Sequence, residues 1–312
     1  MFNQLNITPH GWLAFELNVL RRIKFASAML PFTNQPTLGA FLKRRNVRVL
    51  ANDALQSAWT QAVAAIENNV ESLSETNVET ILEDVYVPRH RLQNPALRRW
   101  FNETDAWWFD NFRQNAEKIE SPIVRAVALD LGMRVGDYAL SFAEETRELR
   151  QPFSKVFQRL SSLAPKPYDN GENNVCLNKP ADEFIADPQN FADLMFLRLP
   201  FVNSPDQTNR FGAAAWREEW IRGDDRFWSD GRRADFGRFG AAVASKTQYL
   251  QLLEEVLQSA KHIRMWAIAH VEDGFVTTPE LVETIGRTRR VDTIYTKDFS
   301  ELTGKKAVII TA

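Results

Sequence analysis

The sequence predicts an α/β protein in which a parallel sheet is covered by helices, interrupted by a long helical insertion and closed by an antiparallel hairpin. Three observations predict it. Strand-like runs alternate with helix-patterned segments at the start of the chain. The strand rhythm stops from about residue 69 to residue 165. Two β-forming runs joined by a glycine-containing turn end the sequence.

Gly11 to Arg22 places Trp12, Leu13, Phe15, Leu17, Val19 and Leu20 at helical spacing. Phe25 to Leu30 is a short strand, LGAFLKRR a helix, and Val47 to Ala51 a second strand. Asp53 is placed to cap the following helix, ALQSAWTQAVAAIENNV. LSETNVETILEDV, LRRWFNETDAWWFDNFRQNAEKI, PIVRAVALDLGMRVGDYALSFAEETREL and FSKVFQRLSSL then all read as helices. The polar stretch PKPYDNGENN ends that block. Strand character returns at Val175 to Leu177 and at Ala192 to Phe201, and a long loop rich in Arg, Trp and Gly follows. Next come a helix around Tyr249 to Ala260, a strand from Ile263 to Ala269 and a helix, TPELVETIGR, with a threonine cap and Pro in its first turn. VDTIYTKDF and KKAVIITA form the closing hairpin.

With 312 residues, 44% hydrophobic and 25% charged, the chain has the composition of a globular protein with a large core. Its lone cysteine, Cys176, excludes an internal disulfide and reads as a core thiol in a reducing compartment. No run approaches the roughly 20 apolar residues of a membrane span, and no signal-peptide pattern opens the sequence, so a cytoplasmic protein without membrane contact is expected. The net charge of −2 argues against strong autonomous binding to nucleic acid. His10, His90, His262 and His270 lack metal-ligand spacing with one another or with Cys176, and no metal site is expected. TGKKA joins two strands and opens no helix, so it is no phosphate-binding loop, and DFG at Asp235 to Gly237 stands without the rest of a kinase.

VRVLANDALQSAW, FNETDAWWFDNFRQ, CLNKPADEFI and IAHVEDGFVTTPEL, in that order, resemble the Dam-like (D12 class) DNA adenine-N6 methyltransferases along nearly the whole chain. The resemblance implies a Rossmann-like fold of the S-adenosylmethionine-dependent methyltransferases. Residues 1–68 and 175–312 would be its two halves, and 69–174 a helical insertion like a target-recognition region. Both motifs that carry the family's chemistry are altered. Where the family reads approximately Asp-Pro-Phe-x-Gly-x-Gly, this chain reads LPFTNQPT. Pro31 and Phe32 match, Leu30 replaces the acid, and Asn34 and Pro36 replace the glycines. Asparagine tolerates positive φ, but proline fixes φ and removes a donor, so the usual cofactor cradle is not expected to form. Asp53 matches the acid that contacts the cofactor, but the altered loop before it favours its reading as a helix cap.

The family's catalytic Asp-Pro-Pro-Tyr is replaced by Arg198, Leu199, Pro200 and Phe201. Phe201 keeps a ring that can stack on a base. Arg198 offers only donors where the adenine amino group needs an acceptor. It is expected either to pair with an acid of its own chain, such as Asp53, or to face solvent. Trp100, Trp107 and Trp108 beside Arg98 and Arg99 are candidate DNA contacts or ordinary core. The segment Asn209 to Gly240, with Arg210, Arg217, Arg232 and Arg233, is a candidate surface for DNA or a protein partner.

The resulting expectation is a catalytically inactive subunit that binds no cofactor, supports an active methyltransferase or other DNA-modifying partner, and contacts double-stranded DNA. One alternative is an active, divergent enzyme that binds S-adenosylmethionine and draws acceptors from Asp53, Asn203 and Ser204. A second is a DNA-binding module on the same fold.

Overall fold

The computed structural model describes residues 11–84, 91–199, 215–228, 245–272, 275–299 and 305–312. Its centre is a seven-stranded sheet in the order β3-β2-β1-β4-β5-β7-β6. The strands are β1 (Ser27–Leu30), β2 (Arg48–Asn52), β3 (Val175–Leu177), β4 (Leu194–Arg198), β5 (Met265–Glu272), β6 (Thr293–Asp298) and β7 (Lys306–Thr311). The first five are parallel, and β7 inserts antiparallel between β5 and β6. Order and direction together define a Rossmann-like methyltransferase fold.

Both faces of the central strands are covered, which is why those strands read as continuous apolar runs. Leu30, Val49, Leu194, Phe196 and Ile309 face one core with α1 (Trp12–Leu20) and α2 (Thr37–Lys43). Met29, Leu50, Met195, Leu197 and Ile310 alternate into a second core with α8 (Ala181–Ala186), α10 (Lys246–Ser259) and α11 (Thr278–Gly286). Between β2 and β3 lie α3 (Gln56–Ala62), its π-helical continuation (Val63–Glu67), α4 (Glu75–Leu82), α5 (Glu103–Ala116), α6 (Pro122–Leu140) and α7 (Phe153–Ser162). Helices α4 to α7 enclose a third, aromatic-rich core that also takes Trp216 and Trp220 from α9 (Ala215–Arg222).

Several boundaries differ from the sequence expectation, each for a local reason. β4 starts at Leu194 because Asp193 turns its carboxylate onto the amides of Ala26 and Ser27, at 2.8 and 2.9 Å. Asn102 caps α5 through the Asp105 amide, which separates it from a 3-10 turn over Pro95–Arg99. The cap of α11 is Thr277, bonded reciprocally with Glu280. The stretch expected as one long loop after β4 contains α9. Asp53 does not cap α3. It accepts from Leu55 N at 2.9 Å, while the amides of Gln56 and Ser57 are taken by Glu218 at 2.9 and 2.8 Å.

Candidate functional site

Ligands of open α/β sheets bind outside the carboxyl ends of the strands, where the strand order reverses. Here that place lies between β1 and β4. β1 runs out through buried Pro31 and half-buried Phe32, which packs into the second core. Thr33 donates from both its amide and its hydroxyl to Asn52 O, each at 3.0 Å. Asn34 adopts φ 51°, a left-handed conformation that asparagine tolerates. Its amide donates to the Asp53 carboxylate at 2.7 Å. Pro36 closes the turn at φ −73° immediately before α2. The β1 turn is therefore tied to the end of β2, with Asp53 bonded to amides on both sides.

At the end of β4, Arg198 Nε and Nη2 donate to Oε1 and Oε2 of Glu16, both at 2.7 Å. Nη1 lies 3.5 Å from the Thr33 carbonyl. Glu16 is fully buried on α1, and Trp12 Nε1 donates to its Oε1 at 2.6 Å. A planar guanidinium meeting a carboxylate through two parallel bonds is the strongest geometry such a pair adopts. Arg198 thus takes neither Asp53 nor solvent as its partner. The physical reason is one of sides: Arg198 reaches α1, on the same face of the sheet as Phe196, whereas Asp53 is committed to the β1 turn. Leu199 packs against the opposite core, its amide bonded to Ala269 O at 2.9 Å. Pro200 and Phe201 lie outside the described residues, as do Asn203 and Ser204.

α9 follows and joins the helices to the sheet. Trp216 and Trp220 are buried, with Trp220 Nε1 bonded to Phe109 O at 2.8 Å. Arg217 pairs with Asp137. Glu218 caps α3, and fully buried Glu219 accepts from Trp228 Nε1 at 2.8 Å and from Trp100 Nε1. Burial raises the Glu219 carboxyl above the ordinary range, against the pull of those indoles and of Arg99, 3.4 Å away. Arg98 forms an exposed pair with Glu103, and Trp107 packs against the aromatic core. Arg210, Arg232 and Arg233 lie outside the described residues. The structure thus joins Arg198 to the β1 turn through Thr33, and Asn34 to Asp53. Arg217 and Arg99 are bonded to acids of their own chain.

Glu16, Glu218 and Glu219 escaped the sequence reading. A signal for Glu16 was present: it lies on the apolar face of α1 between Phe15 and Val19, and a buried acid requires a buried donor. Cys176 is buried on β3, and burial pushes its thiol up. Among the described residues no group of His, Cys, Asp and Glu is arranged to hold a metal ion, and no helix is long and apolar enough to cross a membrane.

The fold is methyltransferase-like. The chain is similar to the Type II methyltransferase M2.HphI of Haemophilus parahaemolyticus, 23% identical over 289 residues that cover 85% of this chain and 82% of that protein. No protein-family profile matches the chain.

Proposed function

We propose that the chain is a Dam-like, D12-class methyltransferase relative that has lost catalysis and serves as a non-catalytic subunit of a DNA-modifying assembly. The observation that carries the reading is the Arg198–Glu16 fork. It places a guanidinium, which has donors alone and is committed to a buried carboxylate, at the strand end where transfer to an adenine amino group needs an acceptor. S-adenosylmethionine does not fit the residues present. Asn34 spends its amide on Asp53, Pro36 has no amide to offer, and the β1 turn is tied to the end of β2. Similarity to a methyltransferase over most of both chains supports DNA as the context in which the subunit works. Its remaining role is then to present helices and arginines to DNA or to an active partner.

The test is transfer of tritiated methyl groups to duplex DNA by the purified chain, alone and with a methyltransferase isolated on the tagged chain from its native host. No transfer by the chain alone, with enhanced transfer by the pair, is expected. Turnover by the chain alone would overturn the reading. A second reading, an active and divergent enzyme, draws on Asp53, which remains at the end of β2.

A further inference from the structure

We propose that the outer edge of β6 is a self-association surface, on which two copies of the chain pair their β6 strands antiparallel about a two-fold axis at Thr296. The inference is independent of whether the β1–β4 edge is closed. β6 is the last strand of the sheet and pairs with β7 alone. Alternation along β7 fixes which groups of β6 face outward. Ala312 exchanges both of its backbone bonds with Trp266 of β5, so the even-numbered residues of β7 serve β5 and the odd-numbered ones serve β6. The Phe299 amide, bonded to Lys305 O at 3.1 Å, continues that order. Thr293, Tyr295 and Lys297 therefore bond to β7, and the backbone groups of Ile294 and Thr296 point away from the sheet. Among the described residues none bonds to them there.

The opposite edge of the sheet is closed by its own helices. On β3 the Cys176 amide donates to Glu67 Oε2 at 2.9 Å, and the Cys176 carbonyl accepts from Trp59 Nε1 at 3.0 Å. β6 has six residues against three in β3, none of them buried on either face, and leaves Ile294 45% exposed. An open edge of β-branched and aromatic residues is a template for another strand. The strand that fits it is its own copy. With Thr296 opposite the second copy's Thr296, Tyr295 meets the second copy's Lys297 on both sides of the axis. These are the closer, non-hydrogen-bonded positions, and each sets a cation beside an aromatic ring. Sliding the pairing by two residues in either direction opposes like charges, Lys297 to Lys297 or Asp298 to Asp292. A slip of one residue sets the outward groups of one strand against the inward-bonded residues of the other.

One strand per copy is a small contact beside the ~1,600 Å² of a standard interface, so association is expected in the micromolar range. Sedimentation equilibrium over about 1–200 µM, which brackets that range, is expected to show the wild-type mass rising from one chain toward two. Thr296→Pro removes the outward amide at the axis without touching a bond to β7, a change that an edge strand tolerates. It is expected to stay folded and monomeric throughout, whereas Thr296→Val, which keeps the amide, is expected to associate as wild type does. A wild-type chain that remains monomeric, or a folded Thr296→Pro protein that associates as strongly as wild type, would overturn the proposal. Should Thr296→Pro not fold, hydrogen exchange on wild type decides the matter. The Ile294 and Thr296 amides are expected to slow by about tenfold or more between the dilute and concentrated ends of the series, and unchanged exchange counts against pairing. Slow exchange in a monomer at every concentration would assign the edge to another segment of the same chain and contradict the proposal as well.

Discussion

The indole of Trp216 lies so close to the backbone of Gly136 that a Cβ placed there would sit 2.1 Å from its ring. One turn earlier on α6, Gly132 gives the same room to Trp220, at 2.5 Å. Two small residues four apart cut a notch into which α9 lays two tryptophans, and this packing holds the helices to the segment that leaves β4. Gly136→Ala is therefore expected to destabilise the protein by about 1–3 kcal/mol through overpacking, although alanine alone favours a helix over glycine by about 1 kcal/mol. Urea unfolding of the variant against wild type measures it, and an unchanged midpoint would mean that Trp216 does not pack on α6.

The Arg198–Glu16 pair predicts an asymmetric mutant series. Removing one partner strands the other charge in a buried place, so Glu16→Ala or Arg198→Ala is expected to cost about 3–5 kcal/mol. Replacing both by apolar residues of similar volume, Glu16→Leu with Arg198→Met, is expected to recover most of that loss. A double-mutant cycle by chemical denaturation reads the coupling. Additive losses would show that the two side chains do not share the site.

Two carboxylates predict opposite pH responses. Glu280 accepts from Thr277 and pairs with Lys246 at 2.7 Å, and these bonds, the lysine's first, bring its pKa down to about 2. A depressed folded value means that its contribution is complete above the ordinary carboxylate range and is lost as pH falls through about 2. Glu219 is raised, by burial first. The folded state then holds that proton more tightly than the unfolded chain does, and stability falls as pH rises through the interval between the ordinary and the raised values. Thermal melts from pH 2 to 8 on Glu280→Ala and Glu219→Gln are expected to flatten the acidic limb in the first and the interval above the ordinary carboxylate range in the second. Identical profiles for wild type and both variants would contradict these assignments.

Much of the sheet was legible because its physics is local. Leu194 to Leu197 and Met265 to Ile268 are unbroken apolar runs of the kind a strand buried on both faces requires, and β6 and β7 announced a hairpin. Boundaries were missed where a side chain from elsewhere set them, as Asp193 does at β4 and Glu218 at α3. The site was legible only as a loss. Arg198 and Pro36 showed which groups are missing, but the partner that Arg198 found, Glu16, lies 182 residues away, and no local pattern encodes that distance. The stretch after β4 read as a loop because its arginines and glycines mask the spacing of Trp216 and Trp220, which lie four apart and share one helix face.

The exposed Arg98–Glu103 pair predicts little. Arg98→Ala is expected to leave stability within about 1 kcal/mol of wild type. If this surface meets DNA, duplex binding is expected to weaken and its salt dependence to become shallower by about one unit in the log–log slope. Fluorescence anisotropy across a salt series measures both, and an unchanged slope would remove Arg98 from the contact.

Closure of the β1–β4 edge is tested most directly by calorimetric titration of the folded wild-type chain with S-adenosylmethionine. No binding heat is predicted at ligand concentrations up to about 1 mM, the regime of interactions weaker than about 4 kcal/mol. Saturable binding in the micromolar range would contradict it.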